Sequence, residues 1–186
     1  MPRRMPALLL ATLAAGAAGA DAAAPAADCE GRFSAGYRVL PLQHGRQLAV
    51  WYPTRAAEQR LARAADGFAS RVARDAPPVA CPRMPLLLFS HGWGGCALQS
   101  IFLTEELARA GYVVAAPDHA DAACRIGRDE VDLGRMRIDS SFLDPASWNE
   151  RSEVGRLHDL RAAIAQVTAD PQLARIADTS RVGAVG

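Results

Sequence analysis

The stretch PLLLFSHGWGG, residues 85–95, decides the fold class of this 186-residue chain. Residues 86–89 are a continuous apolar run that follows Pro85 and ends before a group of polar residues and glycines. A short run with turn-forming residues at both ends is typical of a strand buried on both faces of a parallel sheet. The glycines that follow let the backbone turn sharply and approach a ligand closely. The stretch therefore predicts a buried strand that ends in a loop suited to binding.

The same alternation continues towards the C-terminus. Helical spacing of apolar residues predicts a helix over residues 98–110, with Gly111 as its C-cap residue, and a second helix over residues 152–168. Residues 112–116 and 181–185 are further short apolar runs, and each predicts a buried strand. Strands that alternate with helices predict a parallel α/β sheet with right-handed crossovers.

The segment before this stretch predicts an antiparallel start. Residues 37–42 and 46–52 are strand candidates separated by a Gln-His-Gly turn, whose glycine suits a tight hairpin. Residues 54–76 contain helix formers with apolar side chains at helical spacing. They predict one helix, broken near Gly67.

A polar segment of about thirty residues follows the strand predicted at residues 112–116. This segment is longer than compact domains usually leave without secondary structure, so it is a candidate functional loop. Trp148 within it is a candidate for the acyl side of a cleft. A hydrophobic plug is the equally common alternative for a single tryptophan in a loop.

The first twenty residues, MPRRMPALLLATLAAGAAGA, have the layout of a secretory signal. Two arginines precede an apolar run, and a small-residue Ala-Gly-Ala cleavage site ends it. The run holds too few strongly apolar residues for a membrane span. We therefore expect residues 1–20 to be a signal peptide and residues 21–32 a linker. The folded part, residues 33–186, would be periplasmic or secreted, with no stable membrane insertion after cleavage.

Composition excludes two classes of function. The chain has 21 arginines, no lysine and 20 acidic residues, and this balance excludes a nucleic-acid binder of the basic-patch kind. No C-x-x-C occurs, so a zinc site or a thioredoxin-like site has no support, and no pattern indicates a metal or an organic cofactor. In an exported protein the four cysteines predict one or two disulfides, with three full pairings open. They are Cys29, Cys81, Cys96 and Cys124.

Five segments, in this order, resemble the α/β-hydrolase superfamily. The resembled branch contains platelet-activating-factor acetylhydrolases, dienelactone-hydrolase-like esterases and polyester-degrading cutinases. The resemblance implies that residues 33–186 are the N-terminal part of an α/β-hydrolase domain. It also implies a secreted serine esterase that acts on a small-molecule, lipid or polyester ester. The segments are VWYP (50–53), PLLLFSHGWGG (85–95), LARAGYVVAAPDHADA (107–122), RLHDLRAAI (156–164) and DTSRVGAVG (178–186).

The resemblance also assigns a site. In that family the H-G-x-G loop supplies an oxyanion-hole donor from a backbone N–H, which falls here on Trp93. His91 and Gly92 would support the loop. A donor preset against the charge that develops on a tetrahedral intermediate lowers the barrier by about 3 kcal/mol. For the His91 side chain we expect a structural role, bonded to backbone.

Two further pairs of polar residues invite a catalytic interpretation. Asp118 and His119 follow a predicted strand end, where sites of α/β proteins gather. Adjacent residues rarely face each other productively, so we expect this pair to be structural. Arg156 and Asp159 lie three residues apart on a predicted helix, and we expect an exposed or helix–sheet ion pair between them.

The nucleophile is expected beyond Gly186. In the resembled family the strand at residues 181–185 leads into the elbow G-x-S-x-G, of which Gly186 matches the first glycine, and the acid and base come later. No G-x-S-x-G occurs in residues 1–186, so we expect an esterase fragment that is inactive by itself.

Two alternatives to this interpretation have less support in the sequence. An exported, non-catalytic α/β binding or accessory module would leave a buried-type strand at an unpaired edge, which argues against it. A nucleotide binder of the Rossmann type, built on residues 183–186, conflicts with the antiparallel start and the export signal.

Overall fold

The computed structural model describes residues 29–60, 70–81, 83–122 and 151–186, and for residues 151–154 it describes the backbone only. The expected signal peptide, the linker before Cys29, Cys124 and Trp148 lie outside the described residues. The predictions made for them therefore stay predictions.

Seven strands and three α-helices follow one another in the described residues. The strands are β1 (Ser34–Pro41), β2 (Gln47–Thr54), β3 (Gln59–Arg60), β4 (Arg71–Arg74), β5 (Met84–Phe89), β6 (Val113–Pro117) and β7 (Ala177–Val185). The helices are α1 (Ile101–Arg109), α2 (Arg151–Ala169) and α3 (Leu173–Ile176).

All seven strands form one sheet in the order β3-β4-β1-β2-β6-β5-β7. β1 and β2 are the expected antiparallel hairpin, and β2 also pairs antiparallel with β6. β5 pairs parallel with both β6 and β7, as the alternating strands and helices predict. The burial predicted for residues 181–185 is wrong, because β7 is the edge strand and most of these residues are exposed. Because β5 and β6 are parallel, their carboxyl ends and the loops that follow them meet at the same edge of the sheet.

Each face of the sheet packs against helices. Along β2, Leu48, Val50 and Tyr52 belong to a core that also contains residues of α2 and α3. Ala49 and Trp51 point the other way, into a second core that contains residues of α1. All five side chains are fully buried, as expected of a strand covered on both sides.

The end of α1 follows the expected pattern. Gly111 has a φ of 97°, and its N–H bonds to the carbonyl of Ala108. The N–H of Tyr112 bonds to the carbonyl of Leu107, which completes a Schellman motif. The glycine therefore ends the helix and directs the chain into β6.

The helix predicted over residues 54–76 is wrong for the described part of that segment. β3 and β4 occupy it instead, and they pair antiparallel with each other. In β4, Ala73 and Arg74 pair with Gly36 and Tyr37 of β1. The edge of β1 offers backbone hydrogen bonds, and tertiary pairing of this kind overrides local helix propensity.

A disulfide joins Cys29 to Cys81 and ties the N-terminal segment to the sheet. It settles one of the pairings that the sequence leaves open. Arg55 adds to this connection by donating hydrogen bonds to the carbonyls of Glu30 (2.7 Å) and Arg32 (3.0 Å). Cys96 is also disulfide-bonded.

Two glycines give opposite expectations for the same substitution. A Cβ at Gly36 would lie 2.4 Å from the ring of Tyr52, which is fully buried and donates a hydrogen bond to the carbonyl of Ala76. Gly36→Ala should therefore lower the free energy of unfolding by about 1–3 kcal/mol. A Cβ at Gly155 meets nothing within 4 Å, so Gly155→Ala in helix α2 should raise it by roughly 0.5–1 kcal/mol. Urea unfolding measures both changes in the free energy of unfolding. Equal changes in the two variants would contradict the close packing around Gly36.

Candidate active site

The candidate site lies where β5 and β6 end. Ser90 to Gly95 follow β5, and Asp118 to Asp121 follow β6. Both segments leave the carboxyl edge of the sheet, where ligand sites of open α/β sheets gather. The N-terminal part of helix α2 supplies two further side chains.

The loop after β5 contains a tight turn over Trp93 and Gly94. The N–H of Gly95 donates to the carbonyl of Gly92 at 3.0 Å, and Gly94 has a φ of 66°. A left-handed third residue with an ordinary second residue is the pattern of a type II turn, which favours glycine at that place. The turn therefore gives a conformational reason for glycine at position 94.

The imidazole of His91 hydrogen-bonds to backbone atoms at both ring nitrogens. Its Nδ1–H donates to the carbonyl of Gly92 at 2.7 Å, and its Nε2 accepts the N–H of His119 at 3.0 Å. Burial lowers the pKa of His91 to about 4, which keeps the ring neutral and preserves its acceptor at Nε2. The side chain thus links the loop after β5 to the loop after β6.

Behind the loop, a chain of hydrogen bonds joins Ser90, His119, Asp159 and Arg46. Ser90 Oγ lies 2.9 Å from His119 Nε2, and His119 Nδ1 lies 3.0 Å from Asp159 Oδ2. The second oxygen of Asp159 pairs with Arg46 Nη2 at 2.7 Å. Burial lowers the pKa of His119, so the neutral ring donates from Nδ1 to the carboxylate and accepts from the Ser90 hydroxyl.

Arg156 of helix α2 approaches the loop from the other side. Its Nη1 donates to the carbonyl of His91 at 2.6 Å, and its Nη2 lies 2.7 Å from Asp121 Oδ2. The same carboxylate oxygen accepts the N–H of Gly94 at 3.0 Å. One guanidinium and one carboxylate therefore hold both sides of the turn.

The structure separates residues that the sequence pairs. Arg156 and Asp159 have different partners, so the ion pair expected between them is wrong. Asp118 and His119 also act separately: Asp118 accepts the N–H of Ala97 at 2.9 Å, whereas His119 bonds to Ser90 and Asp159. Sequence reasoning missed Ser90, Asp159 and Arg46 as one network.

The end of β7 lies directly beside this loop. Phe89 pairs with Val185, and the N–H of Ser90 donates to the carbonyl of Val185 at 2.9 Å. A Cβ at Gly186 would lie 2.2 Å from the carbonyl oxygen of Ser90, so glycine is required by the close approach of the two strand ends. The end of β7 therefore lies at the candidate site.

The two histidines predict how stability depends on pH. Because their pKa values are lowered in the folded state, the unfolded chain takes up protons first as the pH falls below 6.5, the ordinary value. The free energy of unfolding should therefore be highest above pH 6.5 and fall towards pH 4, by at most about 1.4 kcal/mol per pH unit for each histidine. Urea unfolding at several pH values measures this slope, and His91→Gln should reduce it. The same slope in this variant would contradict a neutral His91.

Comparisons with known proteins show what this chain is similar to in family and in fold. The family model described as platelet-activating factor acetylhydrolase, isoform II, matches residues 50–131, which include the loops after β5 and β6. A solved ferulic acid esterase from Streptomyces cinnamoneus aligns over 82% of this chain and 51% of its own, with 23% identity and a TM-score of 0.56. The chain has the α/β-hydrolase fold. The resemblance inferred from the five sequence segments is thereby confirmed.

A second solved structure is less similar to the chain. A hypothetical protein from Pseudomonas aeruginosa aligns over 84% of this α/β-hydrolase chain and 36% of its own, with 15% identity and a TM-score of 0.41. No curated protein matches the chain. The chain spans about half the length of the ferulic acid esterase that it matches, at 51%.

The described residues contain no group of three or more His, Cys, Asp or Glu side chains that could hold a metal ion. Among the helices of those residues, none combines the length and the apolar character needed to cross a membrane.

Proposed function

We propose that this chain supplies the oxyanion-hole side of the active site of a serine carboxylic-ester hydrolase. The observation that carries the proposal is the hydrogen bond from the Ser90 N–H to the carbonyl of Val185, at 2.9 Å. It places the end of β7 beside the loop after β5, residues 90–95, which we call the Gly-rich loop. A nucleophile elbow after β7 would then present its serine to the same space as the amide of Trp93.

In this proposal the chemistry is acyl transfer to water. A serine after Gly186 attacks the ester carbonyl, and the Trp93 N–H stabilises the oxyanion of the tetrahedral intermediate. The intermediate collapses to an acyl-enzyme and releases the alcohol, and water then releases the acid. The serine, its histidine and its aspartate would all lie beyond Gly186, so residues 1–186 alone would not turn over ester.

The substrate class is an ester of small-molecule, lipid or polyester type. The matching family is described as a platelet-activating factor acetylhydrolase, and the aligned structure is a ferulic acid esterase. Both names refer to carboxylic esters. We also propose that the protein is exported to the periplasm or secreted, since the disulfide between Cys29 and Cys81 suits an oxidising compartment.

A second candidate uses Ser90 itself as nucleophile. Ser90, His119 and Asp159 have the hydrogen-bond order of a catalytic triad, with 2.9 Å and 3.0 Å between successive partners. Two observations favour a structural role. The side chains of His119 and Asp159 are 1% and 4% exposed, which leaves the base little access to a leaving group, and the N–H of Ser90 is already bonded to Val185.

Turnover of p-nitrophenyl acetate separates the two candidates. The purified 186-residue chain should hydrolyse it no faster than a heat-treated sample of the same chain, because the proposed nucleophile is not in it. Ser90→Ala is the matched variant and should leave this background unchanged. Hydrolysis by the chain that disappears in Ser90→Ala would support the second candidate and contradict the first.

A further inference from the structure

We propose that Arg156 is a positioning residue for the oxyanion-hole loop, acting together with Asp121 to fix the direction of the Trp93 N–H. The catalytic meaning of this role rests on the function proposed above. The positioning itself rests on three successive peptide planes of the loop, each of which has a named anchor.

The middle plane is the peptide between Gly92 and Trp93, which contains the Trp93 N–H. The carbonyl of Gly92 and the N–H of Trp93 belong to one planar trans peptide and point in opposite directions. That carbonyl accepts hydrogen bonds from the N–H of Gly95 at 3.0 Å and from His91 Nδ1 at 2.7 Å. Hydrogen bonds that fix the direction of the Gly92 carbonyl therefore also fix the direction of the Trp93 N–H.

Arg156 and Asp121 anchor the planes on either side. Arg156 donates to the carbonyl of His91 at 2.6 Å and so fixes the peptide between His91 and Gly92. Asp121 accepts the N–H of Gly94 at 3.0 Å and so fixes the peptide between Trp93 and Gly94. The 2.7 Å contact between the two side chains joins these anchors.

The loop needs such anchors because its sequence does not restrict its backbone. Gly92, Gly94 and Gly95 have no Cβ, and glycine populates both signs of φ. A Cβ at Gly92 would meet nothing within 4 Å, so packing does not restrain this residue either. Hydrogen bonds within the loop, together with those from Arg156 and Asp121, are therefore what holds one conformation of it.

An ordinary surface ion pair is the alternative explanation of the contact between Arg156 and Asp121. Their side chains are 22% and 29% exposed, and exposed pairs contribute little to stability. The two explanations differ in one measurable property. If the contact is only a surface ion pair, breaking it leaves the exchange rate of the Gly94 amide unchanged. If it anchors the loop, breaking it raises that rate.

Amide hydrogen exchange tests the proposal. It is followed by NMR under native conditions in the 186-residue chain and in two single variants of it. A hydrogen bond to a charged group shifts a local opening equilibrium about tenfold or more, so Arg156→Gln should accelerate exchange of the Gly94 amide by at least that factor. Arg161→Gln, on the exposed side of the same helix, is the matched control and should leave it unchanged. Unchanged Gly94 exchange in Arg156→Gln would overturn the proposal.

Two further variants keep the test decisive if Arg156→Gln does not fold. Asp121→Asn removes the other anchor and should also accelerate Gly94 exchange. Arg156→Lys keeps the charge but cannot hold two acceptors in a fixed fork, so it should restore the slow exchange only in part. Full restoration by lysine would contradict the bidentate role.

Steady-state kinetics of the complete polypeptide, extended beyond Gly186, distinguish a failure of this proposal from a failure of the proposed function. There, Arg156→Gln should lower kcat about tenfold or more with KM unchanged, because a displaced donor weakens binding of the transition state alone. If the complete polypeptide has no esterase activity but Gly94 exchange is accelerated, the proposed function fails and the positioning role stands. Normal kcat together with accelerated exchange would show that the anchored loop is not the oxyanion hole.

Discussion

In the esterase proposed above, extended beyond Gly186, Trp93→Pro should lower kcat/KM for an ester substrate about a hundredfold. Proline removes the backbone N–H that we propose as oxyanion donor. It does so with little disturbance of the turn, because Trp93 occupies the second position of a type II turn, where proline is favoured. Steady-state hydrolysis of p-nitrophenyl acetate, with circular dichroism to verify folding, measures the effect.

Trp93→Ala is the matched control for this experiment. It removes the indole but keeps the N–H, so it should retain most of kcat, and any loss should be in KM. Equal losses in the alanine and proline variants would assign the effect to the indole. An unchanged kcat/KM in Trp93→Pro would exclude this amide as the donor.

Asp159→Asn should destabilise the chain by about 3 kcal/mol. Asp159 is 3% exposed and neutralises Arg46 at 2.7 Å while accepting a hydrogen bond from His119 at 3.0 Å. The amide leaves Arg46 without its counter-charge, and Arg46 Nε has no hydrogen-bond partner among the described residues. Urea unfolding with an unchanged m-value measures the loss.

An exposed aspartate provides the control for this measurement. Asp75 pairs with Arg74 at 3.5 Å, and both side chains are more than half exposed, at 65% and 61%. Asp75→Asn should change the free energy of unfolding by less than about 1 kcal/mol, and asparagine tolerates the left-handed φ of 52° at this position. If Asp159→Asn were as mild as Asp75→Asn, the buried network would contribute little to the fold.

The main elements of the fold follow from sequence because their signals are local. The apolar run at residues 86–89 and the Gly111 cap predict a buried strand and a helix end, and the structure has both. The segment at residues 54–76 could not be predicted in the same way. Its short strands form because the edge of β1 is available for pairing. No local pattern in residues 59–74 indicates that this distant edge is available.

The candidate site was predictable only in part for a similar reason. The loop around Trp93 has a recognisable motif, whereas the network behind it joins four separate segments through Ser90, His119, Asp159 and Arg46. One signal could have pointed to Asp159. It lies four and eight residues before Ala163 and Val167, on the buried face of α2, and an acidic residue on such a face needs a partner.

The central claim is that the Gly-rich loop serves a nucleophile that follows β7. Treatment of the complete polypeptide, extended beyond Gly186, with a fluorophosphonate and location of the adduct by mass spectrometry tests it most directly. We predict a single adduct on a serine two residues after Gly186, within a G-x-S-x-G sequence. An adduct on Ser90, or no adduct on any serine of an active enzyme, would contradict the account.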